Sequence, residues 1–395
     1  MKKYLLIIFV SLISCNLFAQ PFQIGHVTIT LTDASRNNRA IATEIYYPAD
    51  LAGNNVPVTT ANIDKFPLIS FGHGFVMGWD AYENIWTALV PNGYIVAFPK
   101  TEGSIVPSHT EFGKDLAFVI SEITAIGLDT TSLFFNRVDT MNCVMGHSMG
   151  GGSAFLSTQY NSLIKTIAVL APAETNPSAI QAAATVFIPS LIIAGENDCV
   201  TPPATNQIPM YDSLQSNCKT YISIIGGSHC QMAENNFLCS FGEATCSPQP
   251  TITRAEQHTV VNRFLIPWLE YQLKDDCLAG AQFDSLVATD TSIVFEKTCL
   301  LCITTEVKDI ISPFNVTIFP SPFNDKLYVE LYDSADKIAV DLFSIDGGKV
   351  FSQIVLNERA GKNIVFNIDK NLPAGIYLLK MRIDENEIVR KLIKQ

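Results

Sequence analysis

The chain has 395 residues, of which 48% are hydrophobic and only 16% are charged, and its formal net charge is −12. This apolar composition excludes an intrinsically disordered protein, and the length allows two or three domains. The negative charge argues against a nucleic-acid partner, because phosphate binding needs clustered lysine and arginine side chains. Residues 312–395 carry 11 basic and 11 acidic side chains, so the excess of acid lies entirely before them. The two parts are therefore expected to differ in structure.

The first residues have the pattern of an export signal. Met1 and two basic residues, Lys2 and Lys3, precede an apolar run, residues 4–13, that is too short to span a membrane. Ala19 then supplies a small residue, so we predict a signal peptide over residues 1–19, cleaved after Ala19. A competing interpretation is a bacterial lipobox at residues 12–15, which would lipidate Cys15. With no other long apolar run, we predict no transmembrane span and a protein that is secreted or held at the cell surface.

Residues 20–276 alternate short β-rich runs with longer amphipathic stretches, which predicts an α/β fold with a mainly parallel central sheet. The first two strands, 27–32 and 42–47, alternate polar and apolar residues as an antiparallel edge does. Further strands are predicted at 66–71, 94–98, 140–145, 167–170, 190–194 and 219–225. Helices are predicted at 81–90, 110–126, 148–160, 206–215 and 252–273.

The character of the sequence changes twice after the last long helix. Residues 277–312 show no clear helical period and contain three cysteines, so we interpret them as an extension or linker. Residues 313–395 read as a small all-β sandwich with turn signals such as Asp346-Gly347-Gly348. Its strands are predicted at 316–319, 327–331, 339–344, 349–356, 363–368, 375–383 and 387–393.

The segment Gly146-His147-Ser148-Met149-Gly150 is a G-x-S-x-G motif between a predicted strand and a predicted helix. In this context the motif forms a sharp turn that exposes the serine hydroxyl, and the flanking glycines leave room for close backbone packing. The helix N-terminus that follows favours negative charge at the same place. We therefore predict Ser148 as a nucleophile. The alternative is an ordinary glycine-rich turn.

The partners of a nucleophilic serine are expected on loops that follow later strands. Asp198 follows the strand 190–194 and is the predicted acid, with Glu196 as the neighbour that could replace it. His229 follows the strand 219–225 and is the predicted base. The order serine, aspartate, histidine is that of α/β-hydrolases.

Two backbone N–H groups are predicted to stabilise the oxyanion. The first belongs to Met149, directly after the nucleophile, and the second to Phe75, in the glycine-containing loop 71–75. The alternative for this loop is a tight turn with a buried histidine. The side chains of Phe75 and His147 are the predicted substrate-binding groups. Only 50 residues separate Ser148 from Asp198, which leaves no room for a lid domain and predicts an open cleft.

Ten cysteines in an exported chain predict disulfides, and at least one of the nine that remain after Ala19 must be unpaired. Cys143 lies in an apolar strand and is the expected buried thiol. Cys199 and Cys230 each follow a predicted catalytic residue, and a bridge between them would tie the two loops together.

The other cysteines leave several pairings open. Cys239 and Cys246 bracket a short polar loop and could pair with each other. Cys277 could pair with Cys299 or Cys302. The last two have CxxC spacing, but no second such pair or paired histidines accompany them, so no metal site is predicted.

The motifs GHSMGGGS (146–153), GENDCVTPP (195–203), IPMYDSL (208–214) and GGSH (226–229) resemble those of cutinase-like polyester hydrolases, including bacterial PET hydrolases. The resemblance covers about residues 20–276. It implies that Phe75 corresponds to the aromatic oxyanion residue of that family and Met149 to its methionine after the nucleophile. The loop 171–178 lacks the tryptophan with which many of these enzymes clamp an aromatic acyl group. The cysteines also lie at other positions than the family's active-site disulfide.

The tail resembles the C-terminal sorting domain of proteins exported by the type IX (Por) secretion system of Bacteroidetes. The matching segments are FPSPF (319–323), GIY (375–377) and KLIK (391–394). The resemblance implies the type IX secretion machinery as a partner. The alternative is a small β-sandwich that binds carbohydrate or polymer, but the tail contains no tryptophan.

Together these features predict a secreted serine carboxylic-ester hydrolase that cleaves polyesters through Ser148, His229 and Asp198, without a cofactor and as a monomer. The first alternative is a small-ester or lipid esterase similar to platelet-activating-factor acetylhydrolases. The second is a non-catalytic surface binding protein on a hydrolase scaffold.

Overall fold

The computed structural model describes residues 22–61, 65–299, 301, 316–344, 348–384 and 386–394. The chain divides into two compact units, Met1–Cys302 and Ile303–Gln395. The predicted signal peptide, the lipobox cysteine Cys15 and the predicted linker residues 302–312 lie outside the described residues.

The first unit is built on a sheet of ten strands in the order β10-β9-β8-β7-β6-β4-β5-β2-β1-β3. Strands β4 to β9 run parallel to one another. Strand β2 pairs antiparallel with β1 and β5, β10 pairs antiparallel with β9, and the short β3 pairs parallel with β1. The predicted antiparallel edge is therefore confirmed. The strands are β1 (Gln23–Asp33), β2 (Arg39–Ala49), β3 (Gly53–Asn54), β4 (Phe66–Gly72), β5 (Ile95–Pro99), β6 (Val138–His147), β7 (Thr166–Leu170), β8 (Ser190–Gly195), β9 (Lys219–Ile224) and β10 (Ile293–Lys297).

Helices connect these strands, as a parallel sheet requires. They are α1 (Glu83–Leu89), α2 (His109–Ile126), α3 (Met149–Ser157), α4 (Ala179–Ala183), α5 (Gln207–Ser213), α6 (Phe237–Glu243), α7 (Arg254–Lys274) and α8 (Cys277–Thr289). Within the described part of the chain, no helix combines the length and the apolar character needed to cross a bilayer.

Two hydrophobic cores form around the sheet. One contains Phe264 and Trp268 of α7, and the other contains Leu116 and Val119 of α2. Strands β4, β5, β7 and β8 are buried along their whole length, because a parallel sheet covered on both faces leaves no solvent-facing side. The predicted α/β class with a mainly parallel central sheet is confirmed.

The interpretation of residues 277–297 as an extension or linker is wrong, because they form α8 and β10 and belong to the first unit. Strand β10 pairs with β9 and closes that edge of the sheet. The buried side of α8 includes Ala279, Phe283 and Val287, at spacings of four residues. The helical period is weak in the sequence because the apolar stripe begins with small residues, Ala279 and Gly280.

The cysteine pairings differ from those considered in the sequence. Cys199 pairs with Cys246 and Cys230 with Cys239, so neither the local Cys239–Cys246 bridge nor a Cys199–Cys230 bridge forms. The buried thiol predicted at Cys143 is confirmed.

The third bridge joins Cys218 to Cys299, which rules out the pairing of Cys299 with Cys277. This bridge fastens the end of β10 to the start of β9. Cys277 is also disulfide-bonded, and Cys302 lies outside the described residues.

The second unit consists of two antiparallel sheets, in the orders β11-β12-β15 and β14-β13-β16-β17. One hydrophobic core, which includes Leu342, Phe366 and Met381, draws on both sheets. The predicted β-sandwich is confirmed. Its strands are β11 (Val316–Phe319), β12 (Lys326–Leu331), β13 (Ala335–Ser344), β14 (Lys349–Glu358), β15 (Asn363–Asn367), β16 (Gly375–Ile383) and β17 (Asn386–Lys394).

Candidate active site

Ser148 occupies the turn between β6 and α3, with backbone angles φ 55° and ψ −121°. Positive φ is rare for a residue with a side chain, and such strain is typical of functional positions. The backbone of Ser148 is held on both sides, because its N–H donates to the carbonyl of Leu170 and its own carbonyl accepts from Gly152 and Ala173. The predicted strand, sharp turn and helix are therefore all present around Ser148.

The glycines of the motif are required by close backbone contacts. A Cβ atom on Gly150 would lie 2.1 Å from the carbonyl oxygen of Gly72, and one on Gly146 would lie 2.4 Å from Gly150. No side chain fits at these distances. The end of β4 and the start of α3 thus touch backbone to backbone at the carboxyl edge of the sheet.

The predicted acid and base lie against each other. Oδ2 of Asp198 is 2.7 Å from Nδ1 of His229, and both side chains are buried. They follow β8 and β9, which are neighbours in the sheet, and Ser148 follows β6 at the same carboxyl edge. Because Nδ1 is engaged by Asp198, Nε2 is the ring nitrogen of His229 that can act as a base.

Glu196, the alternative acid, is engaged elsewhere. Its carboxylate accepts the backbone N–H of Gly226 at 2.8 Å, at the start of the loop that carries His229. The acid and base loops also approach closely, since the N–H of Asn197 donates to the carbonyl of Gly227 at 2.8 Å. The geometry therefore favours Asp198 over Glu196.

Thr201 is a part of the site that the sequence analysis missed. Its N–H donates to Oδ1 of Asp198 and its hydroxyl to Oδ2, both at 2.8 Å. The buried amide of Gln207 donates in turn to the Thr201 hydroxyl at 3.1 Å. The sequence feature that could have identified Thr201 is its position three residues after the acid. From there a hydroxyl can hydrogen-bond to the carboxylate within a turn.

His147 lies beneath the site, not on its surface. It has no exposed area, so the predicted role in substrate binding is wrong. Its Nε2 lies 3.2 Å from the carbonyl oxygen of His229, and its Nδ1 lies 3.0 Å from the hydroxyl of Tyr82. The same hydroxyl accepts the N–H of Gly74 at 2.7 Å. His147 and Tyr82 therefore connect the loops of the nucleophile, the base and Phe75.

The protonation state of His147 follows from these contacts. A carbonyl oxygen can only accept, so Nε2 carries the proton and Nδ1 accepts from the Tyr82 hydroxyl. Burial, together with the charge of nearby His229, holds the pKa of His147 well below the usual value for histidine. His147 is therefore a neutral connecting group.

The predicted oxyanion donors lie on the two turns that touch at Gly72 and Gly150. Met149 is the first residue of α3, where backbone N–H groups have no partner within the helix. Phe75 follows the buried segment Gly72-His73-Gly74, and the residue is 47% exposed. His73 itself is buried and contacts the carbonyls of Gly74 and Thr101, as the structural alternative for this loop required.

The stretch between Ser148 and Asp198 contains α3, β7, α4 and β8, without an inserted lid domain. Ala173, in the loop that lacks the clamp tryptophan, packs next to the nucleophile by donating its N–H to the Ser148 carbonyl at 2.9 Å. Among the residues that the structure describes, no group of three or more histidine, cysteine or acidic side chains could hold a metal ion.

Comparisons with known proteins match both units. The family described as PET hydrolase-like matches residues 18–245, which is more than half of the chain. The secretion system C-terminal sorting domain matches residues 317–395. This second match, together with the β-sandwich, identifies residues 317–395 as a sorting domain for export to the cell surface or the extracellular space.

Several curated proteins are similar to the first unit. Cutinase 1 of Thermobifida cellulosilytica is 34% identical over 96 residues, which is 24% of this chain and 35% of the cutinase. A cutinase of Thermobifida fusca (strain YX) is also 34% identical over 96 residues, which is 24% of this chain and 31% of that cutinase. The chain thus spans about a third of the length of these cutinases. The bis(hydroxyethyl) terephthalate hydrolase of Streptomyces coelicolor is 21% identical over 234 residues, 59% of this chain and 62% of that protein.

Proposed function

The chain belongs to the PET hydrolase-like family, and from this premise we propose that it is a secreted serine carboxylic-ester hydrolase that cleaves polyesters. Ser148 is the nucleophile, His229 the general base and Asp198 the acid that orients the histidine. The observation that carries the proposal is the buried contact of 2.7 Å between Asp198 and His229, at the sheet edge that also carries the strained turn of Ser148.

The reaction proceeds through an acyl-enzyme. His229 Nε2 removes the proton of the Ser148 hydroxyl as the oxygen attacks the ester carbonyl, and it then protonates the departing alkoxide. Water enters next, gives a proton to the same nitrogen and attacks the acyl-enzyme. The bond between Ser148 Oγ and the acyl carbon then breaks, Nε2 returns its proton to Oγ, and the acid leaves. Asp198 holds the imidazole in the required tautomer and stabilises its charged form.

The N–H groups of Met149 and Phe75 stabilise the negative oxygen of both tetrahedral intermediates. Such donors act strongly because they are already in place before the charge develops, and the loss of one typically costs about 10²–10³ in rate. The contact between Gly72 and Gly150 supports this assignment, because it brings the two donor-bearing turns together.

Polyesters are the proposed substrates because the site has no inserted lid and Phe75, which carries a proposed oxyanion donor, is exposed. The names of two relatives, a cutinase and a bis(hydroxyethyl) terephthalate hydrolase, are consistent with ester chains of this kind. The type IX secretion machinery is the proposed partner of the sorting domain.

The test is the release of terephthalate products from amorphous PET film by the full chain, with Ser148→Ala as the blank. Release that depends on Ser148 supports the polyesterase. If p-nitrophenyl butyrate is hydrolysed but no polyester film is, the protein is a small-ester or lipid esterase. If Ser148 does not react with a fluorophosphonate probe and no ester is cleaved, the proposed function is wrong.

A further inference from the structure

The short helix α6 is fastened to both loops that carry the acid and the base. Cys239 of α6 is bonded to Cys230, the residue after His229. Cys246, just beyond the helix, is bonded to Cys199, the residue after Asp198. These two bridges fix α6 against the active site, although the helix contributes none of the residues assigned to the reaction.

Glu243, the last residue of α6, reaches the backbone of the base itself. Its Oε1 accepts the N–H of His229 at 2.8 Å and the N–H of Cys230 at 3.2 Å. The side chain is buried, with 8% of the residue exposed. A buried carboxylate is costly unless its oxygen is hydrogen-bonded, so this position demands a specific partner.

The two N–H groups need this acceptor. Cys230 begins a short 3₁₀ helix, Cys230–Met232, for which His229 is the N-cap residue. The first N–H groups of a helix have no partner within it, and a negative charge is favourable at that end. Glu243 therefore satisfies two donors that water does not reach.

Side chains of α7 hold the same loop as well. The amide of Gln257, which is fully buried, exchanges two hydrogen bonds with the backbone of Ser228, at 2.9 and 2.8 Å. Arg254 donates to the carbonyls of Cys230 and Ala233. Side chains of α7 thus bind the backbone at Ser228 and Cys230, whereas Glu243 of α6 accepts the N–H of His229 itself.

We propose that Glu243 is a positioning residue for the general base and that the two disulfides serve to hold it in place. It acts through the backbone of His229 and does not touch the substrate. This inference rests on the proposed function, because it assigns Glu243 a part in the same reaction. If the carboxylate no longer reaches the His229 N–H, the imidazole can move relative to Ser148 and Asp198. A misplacement of about 1 Å can lower the rate about 10²-fold.

Two substitutions of Glu243 separate the effect of its side-chain length from the effect of its negative charge. Glu243→Asp keeps the charge but withdraws the carboxylate by about 1.5 Å, the length of one C–C bond. Glu243→Gln removes the charge but keeps an oxygen that can accept both N–H groups. Turnover of p-nitrophenyl butyrate is measured for the full chain, with active sites counted by a fluorophosphonate probe. Glu234→Asp is the matched control, because Glu234 is near in the chain, its side chain is 41% exposed and it lies 3.9 Å from His258, without a hydrogen bond to the backbone of His229.

We expect kcat per active site to fall about 10- to 100-fold for Glu243→Asp, with KM within about twofold of the wild type, and to stay within about threefold for Glu243→Gln. A role in stability alone would lower the number of active sites and leave kcat per site unchanged. Equal kcat for the Asp variant and the wild type, or an equal loss in both variants, would overturn the inference. If the wild type itself shows no turnover that depends on Ser148, it is the proposed function that fails.

Discussion

At the scale of single residues, the fully buried His147 connects the loops of the candidate active site. It joins the loops of the base and the nucleophile, and through Tyr82 it also reaches the loop of Phe75. These contacts are made by the neutral ring. A proton on Nδ1 would remove the acceptor that the Tyr82 hydroxyl uses and would place a charge where burial disfavours it.

The low pKa of His147 makes the stability of the first unit depend on pH. In the unfolded chain the histidine binds a proton below about pH 6.5, whereas in the folded protein it stays neutral, so the unfolded state gains protons first. We therefore expect His147 to lower the free energy of unfolding by about 1.4 kcal/mol for each pH unit below ~6.5, until its own depressed pKa is reached.

The measurement is denaturant unfolding between pH 5 and 7.5, followed by tryptophan fluorescence. All three tryptophans, Trp79, Trp86 and Trp268, lie in the first unit, so the signal reports that unit alone. The slope should flatten in His147→Gln and persist in His109→Gln, whose side chain is only partly buried. Identical slopes in the wild type and His147→Gln would contradict this account of the histidine.

At the scale of elements, the contact between the turn after β4 and the start of α3 sets the distance between the two proposed oxyanion donors. This contact is made by the backbones of Gly72 and Gly150, without a side chain between them. The two turns can therefore come no closer, and any added atom must push them apart.

We expect Gly150→Ala to destabilise the first unit by about 3 kcal/mol, because its Cβ would meet the Gly72 carbonyl oxygen at 2.1 Å, far inside contact distance. Gly242→Ala is the matched control, since a Cβ on Gly242 meets nothing within 4 Å and alanine favours a helix by up to ~1 kcal/mol. Free energies of unfolding from denaturant curves decide the comparison. A neutral Gly150→Ala would show that the two turns can separate without loss.

At the scale of the whole molecule, the two units have separate hydrophobic cores. Among the described residues, those in the cores of the first unit end at Leu301, and those in the core of the second begin in β11. Each unit thus buries its own apolar surface, which is the condition for independent folding.

We expect a chain that ends at residue 311 to hydrolyse p-nitrophenyl butyrate with kcat within about twofold of the full chain, because the proposed reaction uses residues of the first unit alone. The same truncation should abolish export from a bacterium with a type IX secretion system, since it removes the sorting domain. The full chain, expressed beside it, is the control for both measurements. Loss of activity in the soluble truncated protein would show that the second unit takes part in catalysis.

Much of the secondary structure could be predicted from patterns among residues that are close together in the sequence. The alternation of strands and helices, the antiparallel first two strands, and the seven strands of the sandwich were all predicted close to their observed bounds. So were the turn at Ser148 and the placement of Asp198 and His229 after consecutive strands. These features depend on local periodicity and on loop positions at the carboxyl ends of parallel strands, which can be read from neighbouring residues.

Only the tertiary structure decided which distant groups meet. The cysteines pair across 47, 81 and 9 residues, and no local signal selects those partners over the ones that the sequence suggested. The burial of His147 depends on Tyr82, which lies 65 residues away. The contact of Glu243 with His229 likewise depends on the packing of α6 against the loop that carries His229. Such contacts arise from chain packing in three dimensions, for which spacing along the sequence carries no information.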